Sequence, residues 1–127
     1  LLNDNFSVIV APITHNKQGQ LLNTNADTIA QEIAKAMSNF FEVHLIYSFE
    51  KAGVLKDVTD EDSVINEINP SNYIQLKEQN IIFEGMIPKL DNAFAALENG
   101  VKRIVIGNAE KLFELINGSS GTNIIHE

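Results

Sequence analysis

The chain has 127 residues, 44% of them hydrophobic and 20% charged, a length and balance that suit one globular domain and exclude both a disordered chain and two full-sized domains. Seventeen acidic against nine basic residues give a net charge of −8, and with Arg103 as the one arginine a surface tracking nucleic-acid phosphates is disfavoured. No cysteine is present, so disulfides, thiolate nucleophiles and cysteine-based zinc sites are excluded.

No apolar run approaches the ~18 residues of a spanning helix, and Leu1-Leu2-Asn3-Asp4 lacks the basic and apolar regions of a signal peptide. A cytoplasmic protein without a membrane partner is expected. Phe6 to Ile13 is apolar and β-branched, ends near a proline and a glycine, and predicts a first buried strand. After a turn at Asn16 to Gly19 and a short extended Leu21-Leu22, the stretch Asn23-Thr24-Asn25-Ala26-Asp27 opens a helix. Its apolar face is Ile29, Ala30, Ile33, Ala34 and Met37, with Gln31, Glu32, Lys35 and Ser38 facing away. Val43 to Ser48 reads as a second buried strand. Lys56 to Ser63 is a polar, acidic excursion, Val64 to Ile68 a short edge strand, and Pro70 the start of a short helix ending near Asn80. Pro88 begins a stronger helix with Ile87, Leu90, Phe94, Ala95 and Leu97 on one face, stopped by Asn99-Gly100. A strand at Lys102 to Gly107, a helix at Ala109 to Ile116 and a strand at Thr122 to Ile125 complete the chain. This alternation predicts an α/β fold, a three-layer sandwich with a largely parallel sheet and ligands beyond the carboxyl ends of the strands.

Gly85-Met86-Ile87-Pro88-Lys89 is the most informative stretch for chemistry. It puts a cation into the first turn of a helix, against the dipole, where free N–H groups already favour an anion. A phosphate held jointly by Lys89 and the helix start is one reading; a solvated lysine after an ordinary glycine turn is the other. At Asn23 to Asp27, helix capping explains the pattern, and a polar contact from Asn23 or Asn25 to a substrate, with Asp27 holding a cation, is compatible with it. His15, His44 and His126 lack ligand spacing, so no metal-binding side chain is assigned. The common Rossmann, P-loop and nucleophile-elbow motifs are absent.

The ordered set Asn23-x-Asn25-Ala26-Asp27, Gly53-Val54-Leu55-x-Asp57, Gly85-Met86-Ile87-Pro88-Lys89, Gly100-Val101 and Gly121-Thr122-x-Ile124 resembles the amino-acid kinase family, in particular its acetylglutamate kinases. The resemblance covers about Phe6 to Ile125 and is confined to the carboxyl-terminal, nucleotide-binding half of such kinases, so residues 1–127 are expected to form that half, with the amino-terminal half and its phosphate loop absent. It implies transfer of the ATP γ-phosphoryl group to the side-chain carboxylate of an N-acylglutamate in arginine biosynthesis, with ATP and Mg2+ as cofactors. It further implies that Lys89 is the transition-state lysine, that Asp27 organises the catalytic lysines, and that Asn23, supported by Asn25, contacts the acyl-amino-acid substrate. Ile81, Ile82, Gly85 and Met86 are implied at the nucleotide, together with Phe49 and Glu50, which stand where the family has a Ser/Thr-Asp pair. The full-length protein is expected to be a homo-oligomer. A non-catalytic nucleotide- or amino-acid-sensing module of the same fold is the alternative, supported by Phe49-Glu50 and the missing phosphate loop; a generic α/β interaction domain is a third reading.

Overall fold

The computed structural model describes residues 2–82 and 84–126. Two sheets form. Strands β1 (Ile13–His15) and β2 (Leu21–Asn23) make a small antiparallel hairpin, and β3 (His44–Phe49), β4 (Glu67–Ile68), β5 (Arg103–Asn108) and β6 (Thr122–Ile124) make a four-stranded sheet in the order β3-β5-β6-β4. In the larger sheet β3 pairs parallel to β5 and β4 parallel to β6, while β5 and β6 run antiparallel. The sheet is therefore largely parallel, as the alternation of strands and helices predicts.

Helices α1 (Ala26–Met37) and α3 (Ile87–Glu98) pack on each other and on β3 and β5. On this face Ile104 and Ile106 of β5 meet Ala34, Leu90, Ala93, Ala96 and Leu97 in the main core. Alternation along β5 turns Val105 and Gly107 to the other face, where α4 (Leu112–Asn117) lays the fully buried Leu115 on the sheet. A Cβ at Gly107 would lie 2.5 Å from a methyl of Leu115, so glycine there is a condition of close packing. Helix, sheet and helix give the expected three layers. The short α2 (Pro70–Glu78) sits beside α3, with the Tyr73 and Phe94 rings 5.2 Å apart and the Tyr73 hydroxyl donating to Asp91 at 2.6 Å.

Two expectations change. Of Phe6 to Ile13 only Ile13 enters a strand, and Phe6, Val8, Ile9 and Val10 are exposed. Their apolar pattern suits a sheet, but no strand of the described residues pairs with them. The polar face assigned to α1 is also rotated. Gln31 is buried at 6% exposure while Ile33 is 40% exposed, because Asp27 is drawn to α3 and carries positions 31 and 34, one and two turns on, inward with it.

Candidate functional site

The first turns of α1 and α3 meet at the carboxyl end of β3. Asn25 caps α1, its side chain accepting from the Thr28 backbone N–H at 3.1 Å, which leaves Asp27 in the first turn with its carboxylate in the favourable field of the helix N-terminus. Helix α3 begins differently. A 3-10 turn at Glu84–Met86 leads into Ile87 and Pro88, no side chain caps the helix, and Lys89 follows in the first turn with its charge opposed to the dipole. What offsets this is Asp27: Lys89 Nζ donates to Asp27 Oδ2 at 2.6 Å across 62 residues of sequence, with the lysine side chain 17% exposed. A partly buried, charge-assisted contact of this length holds the ammonium far more firmly than a surface ion pair does.

Beneath the ammonium lies β3. Tyr47 and Phe49, two apart on one face, present rings whose centroids are 4.9 and 5.9 Å from Lys89 Nζ. Burial, then the charge of Asp27, pushes the Tyr47 phenol up to about 12, so it stays protonated at neutral pH.

A cavity of about 380 Å³ opens beside this pair, lined by Phe49, Glu50, Lys51, Gly53, Val54, Leu55, Val58, Gly85, Met86 and Lys89. One wall is apolar, the rim carries two lysines, and one carboxylate stands at the strand end. The wall is fixed from behind. Val54 donates its backbone N–H to the buried Thr122 Oγ1 at 2.8 Å, Ile65 donates back to the Val54 carbonyl at 2.8 Å, and a Cβ at Gly53 would come within 2.7 Å of Thr122 Oγ1. Lys89 is paired with Asp27, and Lys51 with Glu61 at 3.4 Å. The cavity thus combines an apolar body with two ammonium groups already held by carboxylates, a lining that suits a ligand with an aromatic or apolar portion and polar groups at one end.

Of the residues singled out in the sequence, the structure brings Phe49, Glu50, Gly85, Met86 and Lys89 to this cavity and Asp27 to Lys89. Asn23 ends β2 and Asn25 caps α1, both exposed, and neither lines it. Ile82 packs in the core and Ile81 follows α2, so the apolar wall is built from Val54, Leu55, Val58 and Met86 instead. Tyr47 and Lys51 escaped the sequence reading. Tyr47 had a signal in its i, i+2 relation to Phe49; Lys51 follows directly on the strand-end pair.

The residues from 1 to 108 match the model of the amino acid kinase family. The chain belongs to the amino acid kinase family. It is 50% identical over 127 residues to an acetylglutamate kinase from Cytophaga hutchinsonii, covering 98% of this chain and 48% of that protein. An acetylglutamate kinase from Phocaeicola vulgatus is 48% identical, again with 98% of this chain and 47% of the relative aligned. The chain thus spans about half the length of these relatives. Among solved structures, smu.665 from Streptococcus mutans superposes with a TM-score of 0.70 at 28% identity, over 91% of this chain and 41% of that one. Carbamate kinase from Giardia lamblia superposes at 0.67 with 17% identity, over 91% and 41%, and speaks for the fold alone. These neighbours agree with the α/β architecture.

Proposed function

We propose that this chain is the nucleotide-binding half of an N-acetylglutamate kinase, which moves the γ-phosphoryl group of ATP to the side-chain carboxylate of N-acetylglutamate or a similar N-acylglutamate. The observation that carries the reading is the partly buried Lys89–Asp27 pair, whose lysine lines a cavity with an apolar wall. In this reading Val54, Leu55, Val58 and Met86 face the base, with Phe49, Glu50 and Gly85 along its edge. Lys51 and Lys89 meet the phosphates, and Lys89 neutralises charge that builds on the transferring group. Asp27 holds the ammonium in place and leaves its remaining N–H bonds to the phosphoryl oxygens. No nucleophilic side chain is required, since the acceptor carboxylate attacks the γ-phosphorus directly, the bond to the β–γ bridging oxygen breaks, and ADP leaves with that oxygen. Among the described residues no three carboxylates, histidines or cysteines gather around one point, so Mg2+ would enter on the nucleotide phosphates, where it shields their charge. Asn23 and Asn25, outside the cavity, are assigned to the acceptor side. A cytoplasmic homo-oligomer at the relatives' full length completes the proposal.

The test is kinetic and uses a polypeptide of the relatives' full length that includes these residues. Lys89→Met should lower kcat by roughly 10²–10³ with little change in acceptor KM, the cost of removing one preorganised charge at a transferring group. Asp27→Asn should do comparable harm, and the double variant should be scarcely worse than the worse single one, since the two act as a unit. A folded Lys89→Met protein with near wild-type kcat overturns the reading.

A further inference from the structure

Lysine is a poor choice for fixed geometry. Its ammonium rides on four rotatable carbons, and one carboxylate contact leaves it free to swing about that oxygen. Lys89 is nonetheless mostly shielded, at 17% exposure, and two rings of one strand lie close to its ammonium. Tyr47, 4% exposed, lies with its centroid 4.9 Å from Nζ, and Phe49 follows at 5.9 Å, both within the distance at which an aromatic face attracts a cation. The two rings belong to the same face of β3, the face α1 and α3 cover, so the backbone of the sheet sets their spacing.

We propose that Tyr47 and Phe49 form an aromatic floor that positions the Lys89 ammonium, holding it against Asp27 and toward the cavity, and that they are positioning residues for phosphoryl transfer. This rests on the reading of Lys89 as the cation that faces the phosphoryl group. The ring of Tyr47 carries the effect, since its hydroxyl makes only a long 3.5 Å contact to the Asp27 carbonyl, too weak to aim anything. With Asp27 to one side and rings below, the direction left to the remaining N–H bonds is the cavity. The chain contains its own comparison. Lys77 Nζ also lies 4.9 Å from a tyrosine centroid, that of Tyr73, with Asp91 4.0 Å away, but its side chain is 41% exposed and borders no cavity described above. The distance is equal and the setting is not, so Lys77→Met should leave kcat unchanged.

The experiment compares Tyr47→Leu, Tyr47→Phe and Phe49→Leu in the full-length protein. Tyr47→Leu keeps most of the bulk and removes the ring, and it should lower kcat about three- to tenfold, as loss of one partly desolvated cation–π contact converts to rate, with a smaller change in either KM. Tyr47→Phe should restore kcat. A structural role would show in melting temperature, not in this split. In the ligand-free protein, proton NMR should find the Cε methylene of Lys89 shifted upfield by ring currents, with the shift kept in Tyr47→Phe and lost in Tyr47→Leu. Equal kcat losses in the Leu and Phe variants, an unchanged kcat in Tyr47→Leu, or a methylene at its ordinary position overturns the proposal. Should Tyr47→Leu fail to fold, Phe49→Leu, at a half-buried position, and the spectrum of the unsubstituted protein decide the matter. If the ring-current shift is present and Lys89→Met keeps full activity, the kinase reading fails while the aromatic contact stands. If the shift is missing and Lys89→Met is still crippled, only the aromatic floor fails.

Discussion

Asp27 makes three contacts from one position: its carboxylate takes Lys89, its carbonyl faces the Tyr47 hydroxyl, and its charge complements the start of α1. A consequence at this scale is a pair of reluctant tyrosines, the only two in the chain. Tyr47 is pushed from 10.0 up to about 12 by burial and the Asp27 charge, and Tyr73 is raised too, by burial and by its hydrogen bond to Asp91. The unfolded chain ionises near 10.0, so the neutral phenols stabilise the fold fully below that pH, and the contribution of Tyr47 is lost as pH rises toward about 12. Ultraviolet titration should therefore find little phenolate in the folded protein at pH 10, where a free tyrosine is half ionised. Denaturant midpoints should fall above that pH, and less steeply in Tyr47→Phe. Phenolate appearing at the ordinary value in folded protein would contradict the burial of these rings.

The elements around the cavity depend on one buried hydroxyl. Thr122, the first residue of β6 and fully buried, accepts from the Val54 N–H and thereby ties the wall after β3 to the far side of the sheet. Thr122→Val preserves shape and strands that N–H, so it should cost about 1–3 kcal/mol in chemical denaturation, the penalty of a buried donor left unpaired. A loss within experimental error would mean that the wall is held by packing alone. This tie also marks the limit of what the sequence discloses. Helices α1 and α3 and strands β3 and β5 were legible because their apolar spacing is local. Lys89 stands out through its odd place in a first turn, whereas its link to Asp27 is implied by the family resemblance. The inward turn of Gln31, the contact of Val54 with Thr122 and the approach of two rings to Lys89 join distant segments, and no local pattern encodes them. Residues Phe6 to Val10 show the converse: they read as a strand because their composition fits one, yet pairing requires a partner, and composition does not supply it.

At the scale of the whole molecule, many of the exposed large apolar residues belong to the first 41 positions. Leu2, Val8, Val10, Ile33, Met37 and Phe41 line one shallow depression against the outer side of α1, and Ile9 and Phe40, next to lining residues in sequence, are 96% and 79% exposed. The stripe of α1 that reads as a single apolar face is thus divided, with Ala30 and Ala34 toward the core and Ile33 and Met37 toward this depression. An exposed apolar depression of this kind offers a place for an apolar dye to bind. The relatives are about twice as long as this chain, which makes the patch sensitive to how much of such a protein is present. The 127-residue chain should accordingly enhance the fluorescence of anilinonaphthalene sulfonate while still unfolding cooperatively, which separates a native apolar surface from a molten state. Val8→Ser with Ile33→Ser should reduce that fluorescence at a modest cost in stability, since the two residues are 52% and 40% exposed. A polypeptide of the relatives' full length should bind less dye per molecule than the short chain does. Equal dye binding by the two would show that the additional length leaves this face open, and unchanged binding after the serine substitutions would place the dye elsewhere.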